Sequence, residues 1–155
     1  VGQLQEQPAH IAHEARMLAA NARDYLNIGV VETNRAGKRA YWLGVVAWST
    51  IDRTATDAGS ARPGRLRLVY AKESIDLTPV EEGRRAVGLD RPEFTGPATR
   101  FSEGWYPLSV EQLRRLSEAP PSAVELLLAE SQALDFEKWR VRFKPMTEFL
   151  KATGL

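Results

Sequence analysis

The sequence predicts an α+β fold: an antiparallel β-sheet of about six strands, curved or sandwich-like, with an N-terminal helix and two short helices. Three observations predict it. Trp139, Val141 and Phe143 alternate with Lys138, Arg140, Arg142 and Lys144, a period of two that puts apolar residues on one strand face and cations on the other. Residues 39–52 carry apolar side chains in both alternating sets, the pattern of a strand covered on two sides. Ser109 stands three residues ahead of Gln112, a capping box that opens a helix, and Pro120 and Pro121 close it.

Taken in order, residues 1–7 read as a polar lead-in or linker, and 8–155 as one globular domain. Pro8 suits a first helical turn, and Ile11, Ala15, Leu18, Ala22 and Tyr25 recur at helical spacing. Residues 8–26 are therefore expected to be an amphipathic helix, packed on the sheet or pairing with a second copy. Asn27 to Thr33 reads as a strand. Asn34-Arg-Ala-Gly-Lys38 follows as a turn, in which Gly37 supplies the positive φ of a short hairpin loop with a bulge.

In the next strand Tyr41, Leu43, Val45 and Ala47 share one face, and Trp42, Val46 and Trp48 the other. Gly44 between them suggests a bulge or the close approach of another backbone. Residues 54–64 have loop composition. From Arg65 a strand alternates Leu66, Leu68 and Tyr70 with Arg65, Arg67 and Val69, and continues through Ile75 and Leu77 after a kink or turn near Lys72-Glu73-Ser74.

Residues 79–98 hold three prolines and three glycines and read as a long loop, the expected rim of any site. Residues 99–106 suggest an edge strand. Leu108 and Leu113 then occupy the two positions of a hydrophobic staple around the Ser109 cap. Ala123 to Glu130 is an apolar strand, Ser131 to Asp135 its hairpin connection, and Met146, Phe149 and Leu150 one face of a last helix.

Composition narrows the functions available. The chain of 155 residues has a net charge of +1, with 43% hydrophobic and 26% charged residues, as in ordinary globular proteins. Residues 1–78 hold 10 cations and 8 anions, and residues 79–155 hold 11 and 12. Neither half has the basic excess of a nucleic-acid binder, so no nucleic-acid partner is expected. With no cysteine, disulfides, thiol catalysis and Cys-ligated zinc are excluded. No apolar run approaches the ~20 residues of a membrane span. Val1 rather than Met at the front is read as removal of a leading segment, an export signal among the possibilities.

His10 and His13 are the only histidines, too few for a zinc site of three or four protein ligands, and no metal or cofactor is expected. Asp52, Glu73, Asp76 and Glu103 fall near strand ends. Asp52, Glu73 and Asp76 are the candidates for acid–base chemistry by paired carboxylates, in a small hydrolase or lyase. Arginines pair at Arg65/Arg67, Arg84/Arg85, Arg114/Arg115 and Arg140/Arg142, where guanidinium forks could clamp a small anion, as in a cytosolic regulatory domain. Phe101, Trp105 and Tyr106 form an aromatic cluster beside the long loop. With Arg84 and Arg85 they make the candidate binding surface, for a protein partner or a second copy.

The run Tyr106-Pro-Leu-Ser109, then Glu111-Gln-Leu113, the strand pair after it and Phe149-Leu150 resemble a pattern of small uncharacterised exported proteins of bacteria. Many of these are lipoproteins with a sandwich-like sheet. The resemblance covers residues 99–150 and carries no catalytic residues. It implies a module of the bacterial cell envelope, periplasmic or anchored at the outer membrane, with any lipid tether ahead of Val1. The expected function is non-enzymatic binding or a structural role there. The alternatives are the carboxylate hydrolase or lyase and the cytosolic anion-binding domain.

Overall fold

The computed structural model describes residues 10–21, 24–49, 62–89, 101–118, 121–128, 132–140 and 144–155. The expected lead-in at 1–7, the loop at 54–61, Asp52, the stretch 90–98 and residues 141–143 lie outside them. The described chain runs β1 (His10–Asn21), β2 (Asp24–Arg35), β3 (Lys38–Ser49), β4 (Pro63–Val69), β5 (Ser74–Leu77), α1 (Arg84–Val87), β6 (Phe101–Leu108), α2 (Val110–Glu118), β7 (Ala123–Leu128), β8 (Gln132–Arg140) and α3 (Lys144–Thr153). All eight strands join one sheet in the order β5-β4-β7-β8-β1-β2-β3-β6, and every neighbouring pair is antiparallel. This is the antiparallel α+β architecture the sequence predicts, with eight described strands where about six were expected.

The N-terminal helix is not formed. Residues 10–21 are strand β1, and the expected span 8–26 also takes in the start of β2. Its near-continuous apolar run, Ala15 and Met17 to Ala20, satisfies either period. Helix propensity separates ordinary residues by only ~0.7 kcal/mol each. Against that, β1 pairs with β2 from His10↔Asn34 to Asn21↔Asp24 and with β8 from Leu18↔Arg140 to Ala20↔Glu137. Backbone hydrogen bonds on two sides outweigh a weak local preference. The i, i+3 spacing of His10 and His13, a shared face on a helix, has no such meaning on a strand.

The β2–β3 hairpin turns in two residues, Ala36 at φ 51° and Gly37 at φ 84°, with Arg35 paired to Lys38. Two positive φ values make a type I′ turn, whose twist matches the flanking strands, so the expected bulge is absent. The Asn34 side-chain oxygen accepts the Gly37 N–H at 2.9 Å. Gly44 is no bulge either: the register runs unbroken through Gly29↔Gly44 and Gly44↔Trp105.

Alternation along β3 is as expected. Tyr41, Leu43, Val45 and Ala47 enter an inner core with Leu26, Ile28 and Val30 of β2, Leu66 and Leu68 of β4, Tyr106 and Leu108 of β6, and Val124 and Leu126 of β7. Val46 and Trp48 enter an outer cluster with Val31, Val87 and Trp105, against which Trp42, Val80, Leu89 and Phe101 pack. Each fully buried aliphatic or aromatic side chain contributes ~1.5–3 kcal/mol relative to exposure. The outer cluster is roofed by residues 80–89, so the expected loop is in part an ordered cover containing α1.

The expected kink near Lys72 is a full reversal. Tyr70 N–H donates to the Glu73 carbonyl at 2.8 Å, and β5 returns along β4. The capping box is formed in both directions: Ser109 N–H donates to Gln112 Oε1 at 2.9 Å, and Gln112 N–H to Ser109 Oγ at 3.1 Å. Leu108 and Leu113 both enter the inner core. Strand β8 starts at Gln132, so most of the expected hairpin connection at 131–135 is ladder. In α3 Phe149 is buried, and the Thr153 carbonyl accepts Arg39 Nη1 at 2.8 Å, tying the helix end to β3.

The sheet is strongly curled. β4 and β6 stand near opposite ends of the strand order, yet the Tyr106 hydroxyl donates to the Gly64 carbonyl at 2.7 Å. A Cβ on Gly104 would come within 3.1 Å of Pro63 Cβ, so a side chain there would push the two strands apart. The edge strands β5 and β6 do not pair with each other, and a seam remains. The Trp105 carbonyl faces away from β3 and accepts the Val80 N–H at 2.9 Å. Pro107, two residues on, has its missing N–H on the same side, where no ladder bond is lost.

Candidate functional site

The seam is where charged side chains converge. Residues 78–80 leave β5 and cross toward β6, and the turn at 81–83 leads into α1, placing Arg84 and Arg85 over the end of β6. Together with Arg62 and Pro63 at the start of β4, and Glu103 and Gly104 of β6, they line a groove of about 340 Å³. Alternation on β6 sends Glu103 and Trp105 to the outer face, where Trp105 lies in the outer cluster.

Glu103 is the best-buried charge of the groove, its side chain 12% exposed. Its Oε1 accepts the Trp105 indole N–H at 2.8 Å and lies 3.6 Å from Arg84 Nε. Its Oε2 is buried with no hydrogen-bond partner. Arg62 donates from Nη2 to the Glu81 carbonyl at 3.1 Å, holding the turn across the seam. Arg85 is exposed and has no ion pair among the described residues.

Of the five residues expected to form the binding surface, Arg84 and Arg85 line the groove, and Trp105 stands behind it as the support of Glu103. Phe101 is half-buried against the outer cluster. Tyr106 does not join them: it points into the inner core and is fully buried, and burial pushes its phenol well above the ordinary value. Sequence reasoning missed Arg62, which no spacing pattern links to residues 84–103. Glu103 stood out only as one carboxylate among several near strand ends.

Of the carboxylates expected to form a catalytic pair, Asp52 lies outside the described residues, and Glu73 and Asp76 are engaged elsewhere. Asp76 is exposed and takes two bonds from Arg67, Nε to Oδ1 at 2.7 Å and Nη2 to Oδ2 at 3.2 Å. That guanidinium holds the Asp76 carboxyl below its ordinary range, opposite to the shift a general acid needs. Glu73 is exposed and bonded to Arg115. The Arg115 guanidinium also lies 3.9 Å over the Tyr70 ring, at an open cleft of about 760 Å³ beside the β4–β5 turn. Burial pushes the Tyr70 phenol up to about 12.

Glu32, 3% exposed, faces the inner core opposite Tyr41, with Arg39 Nε 3.9 Å from its Oε1. Its Oε2 is buried with no hydrogen-bond partner among the described residues. Among those residues no group of three or more His, Cys, Asp or Glu is placed to hold a metal ion, and no helix is long and apolar enough to cross a membrane. No protein-family model, curated protein or solved structure matches the chain.

Proposed function

We propose that this chain is a non-enzymatic binding module of the bacterial cell envelope, and that its ligand is held in the groove at the seam between β4 and β6. One observation carries the reading: a groove of about 340 Å³ lined by three arginines and by the largely buried Glu103, on a frame fixed by backbone and side-chain bonds. Its volume is in the range of ~300–1,000 Å³ typical of ligand clefts. Binding is favoured over hydrolysis because Glu73 and Asp76 are neutralised by arginines on open surface. The envelope location rests on the resemblance of residues 99–150 to exported proteins.

The groove is tested by placing benzoylphenylalanine at position 82, an exposed residue of the groove lining, and irradiating cells of the source organism. The expected outcome is a covalent adduct on the intact protein, lost when Arg62→Glu is added and absent when the probe replaces Arg114 on α2. No adduct, or one indifferent to Arg62→Glu, overturns the assignment. The location is tested separately by intact mass of the protein in membrane, periplasmic and cytosolic fractions. An unmodified cytosolic species overturns the envelope reading and leaves the groove untouched.

A further inference from the structure

We infer that the seam groove receives a zwitterion, its ammonium group meeting Glu103 and its acidic group meeting Arg62 and Arg85. This rests on the reading of the groove as the binding site and names the chemistry of its ligand.

The lining carries three guanidinium groups and three carboxylates, Arg62, Arg84 and Arg85 against Glu81, Glu82 and Glu103. A polyanion entering the groove meets the glutamates, and a simple cation meets the arginines. Like charges brought together discriminate against both, so a ligand carrying both signs is the one the lining accommodates.

Within that lining the two signs are built differently. Glu103 is the buried member. One oxygen is used by the Trp105 indole and Arg84, and the other is buried without a hydrogen-bond partner. A buried acceptor left unpaired keeps its desolvation cost until a donor reaches it. Arg84 stands at 3.6 Å from the oxygen already occupied. An ammonium carries three donors and no acceptor, which suits a carboxylate that forms part of the groove wall.

The cations for the acidic end are more accessible. Arg85 is exposed with no ion pair among the described residues, and Arg62 uses one of its donors on the Glu81 carbonyl. A guanidinium fork keeps several donors for a carboxylate or phosphate.

The test uses the Trp105 indole N–H as reporter, because it donates to the same Glu103 that would receive the ammonium. The full chain is ¹⁵N-labelled, its four indole signals are recorded, and Trp105 is assigned with Trp105→Phe. Four probes are titrated: phosphoethanolamine and L-alanine as zwitterions, ethanolamine and inorganic phosphate as their halves. At least one zwitterion is expected to move the Trp105 signal saturably, with affinity about tenfold or more above either half. Which zwitterion does so separates a phosphate head group from an amino acid.

Glu103→Gln, which still accepts from the indole, and the exposed Arg85→Ala are each expected to weaken binding about fivefold or more. Should Glu103→Gln alter the other three indole signals, Arg85→Ala alone decides. The inference is overturned if neither zwitterion gives a saturable shift, if a half-probe binds as well as the whole, or if Arg85→Ala binds like the parent chain. An adduct at position 82 without zwitterion binding rejects this ligand class and retains the groove as the contact surface.

Discussion

Ala36 holds a φ of 51° at the tip of the β2–β3 hairpin, a region where a Cβ crowds the following carbonyl. Asn and Gly tolerate it far better, and Asn-Gly is the preferred pair for this turn. Ala36→Asn, which creates that pair with Gly37, is expected to raise stability by about 0.5–1 kcal/mol, read as a higher denaturant midpoint at unchanged slope. Gly37 was legible as a turn residue, but the strain at Ala36 was not, because alanine signals nothing about φ. The same gap between list and space separates Trp105 from Tyr106. They are adjacent in sequence and were read as one surface, yet a period of two sends them into different cores.

At the scale of elements, legibility tracked how much of the deciding physics is local. The start of α2 is set by residues 108–113, and it formed as written, with both capping bonds and the staple. Ser109→Ala removes the acceptor for the Gln112 N–H and is expected to cost about 1 kcal/mol in chemical denaturation, with Ser109→Thr retaining most of it. The two-faced pattern of β3 was likewise readable, since both its faces are written in its own residues. For β1 the deciding partners are β2 and β8, and β8 lies at the far end of the chain. Its local pattern favoured helix, and only the ladder on either side makes it strand. The reversal after Tyr70 left a trace at Lys72-Glu73-Ser74, enough to mark a break and too little to fix its angle.

The molecule as a whole is a curled sheet with tyrosines in its inner core. Tyr41, Tyr70 and Tyr106 are all raised above the ordinary phenol value of about 10, each chiefly by burial, and Tyr70 to about 12. The folded state therefore favours the protonated phenols. That contribution to stability is complete below pH 10 and is lost as pH rises from 10 toward 12. Denaturation midpoints are expected to fall steadily over this window, and phenolate absorbance from these residues should rise together with loss of near-ultraviolet dichroism. Three or more tyrosines ionising near pH 10 in a chain that keeps its dichroism would contradict the burial described. The seam groove belongs to this scale too. Gly64 and Tyr106 are 42 residues apart, and no local pattern announces that β4 and β6 will meet. Curling has a cost in time as well. Leu18 must find Arg140 before β1 has its second neighbour, so during synthesis the strand waits, one edge open, until β8 emerges. Long-range pairing of this kind is slow and exposes intermediates to association. A nascent chain stopped before Gln132 therefore has an unpaired edge on β1 and is the species a chaperone would need to hold.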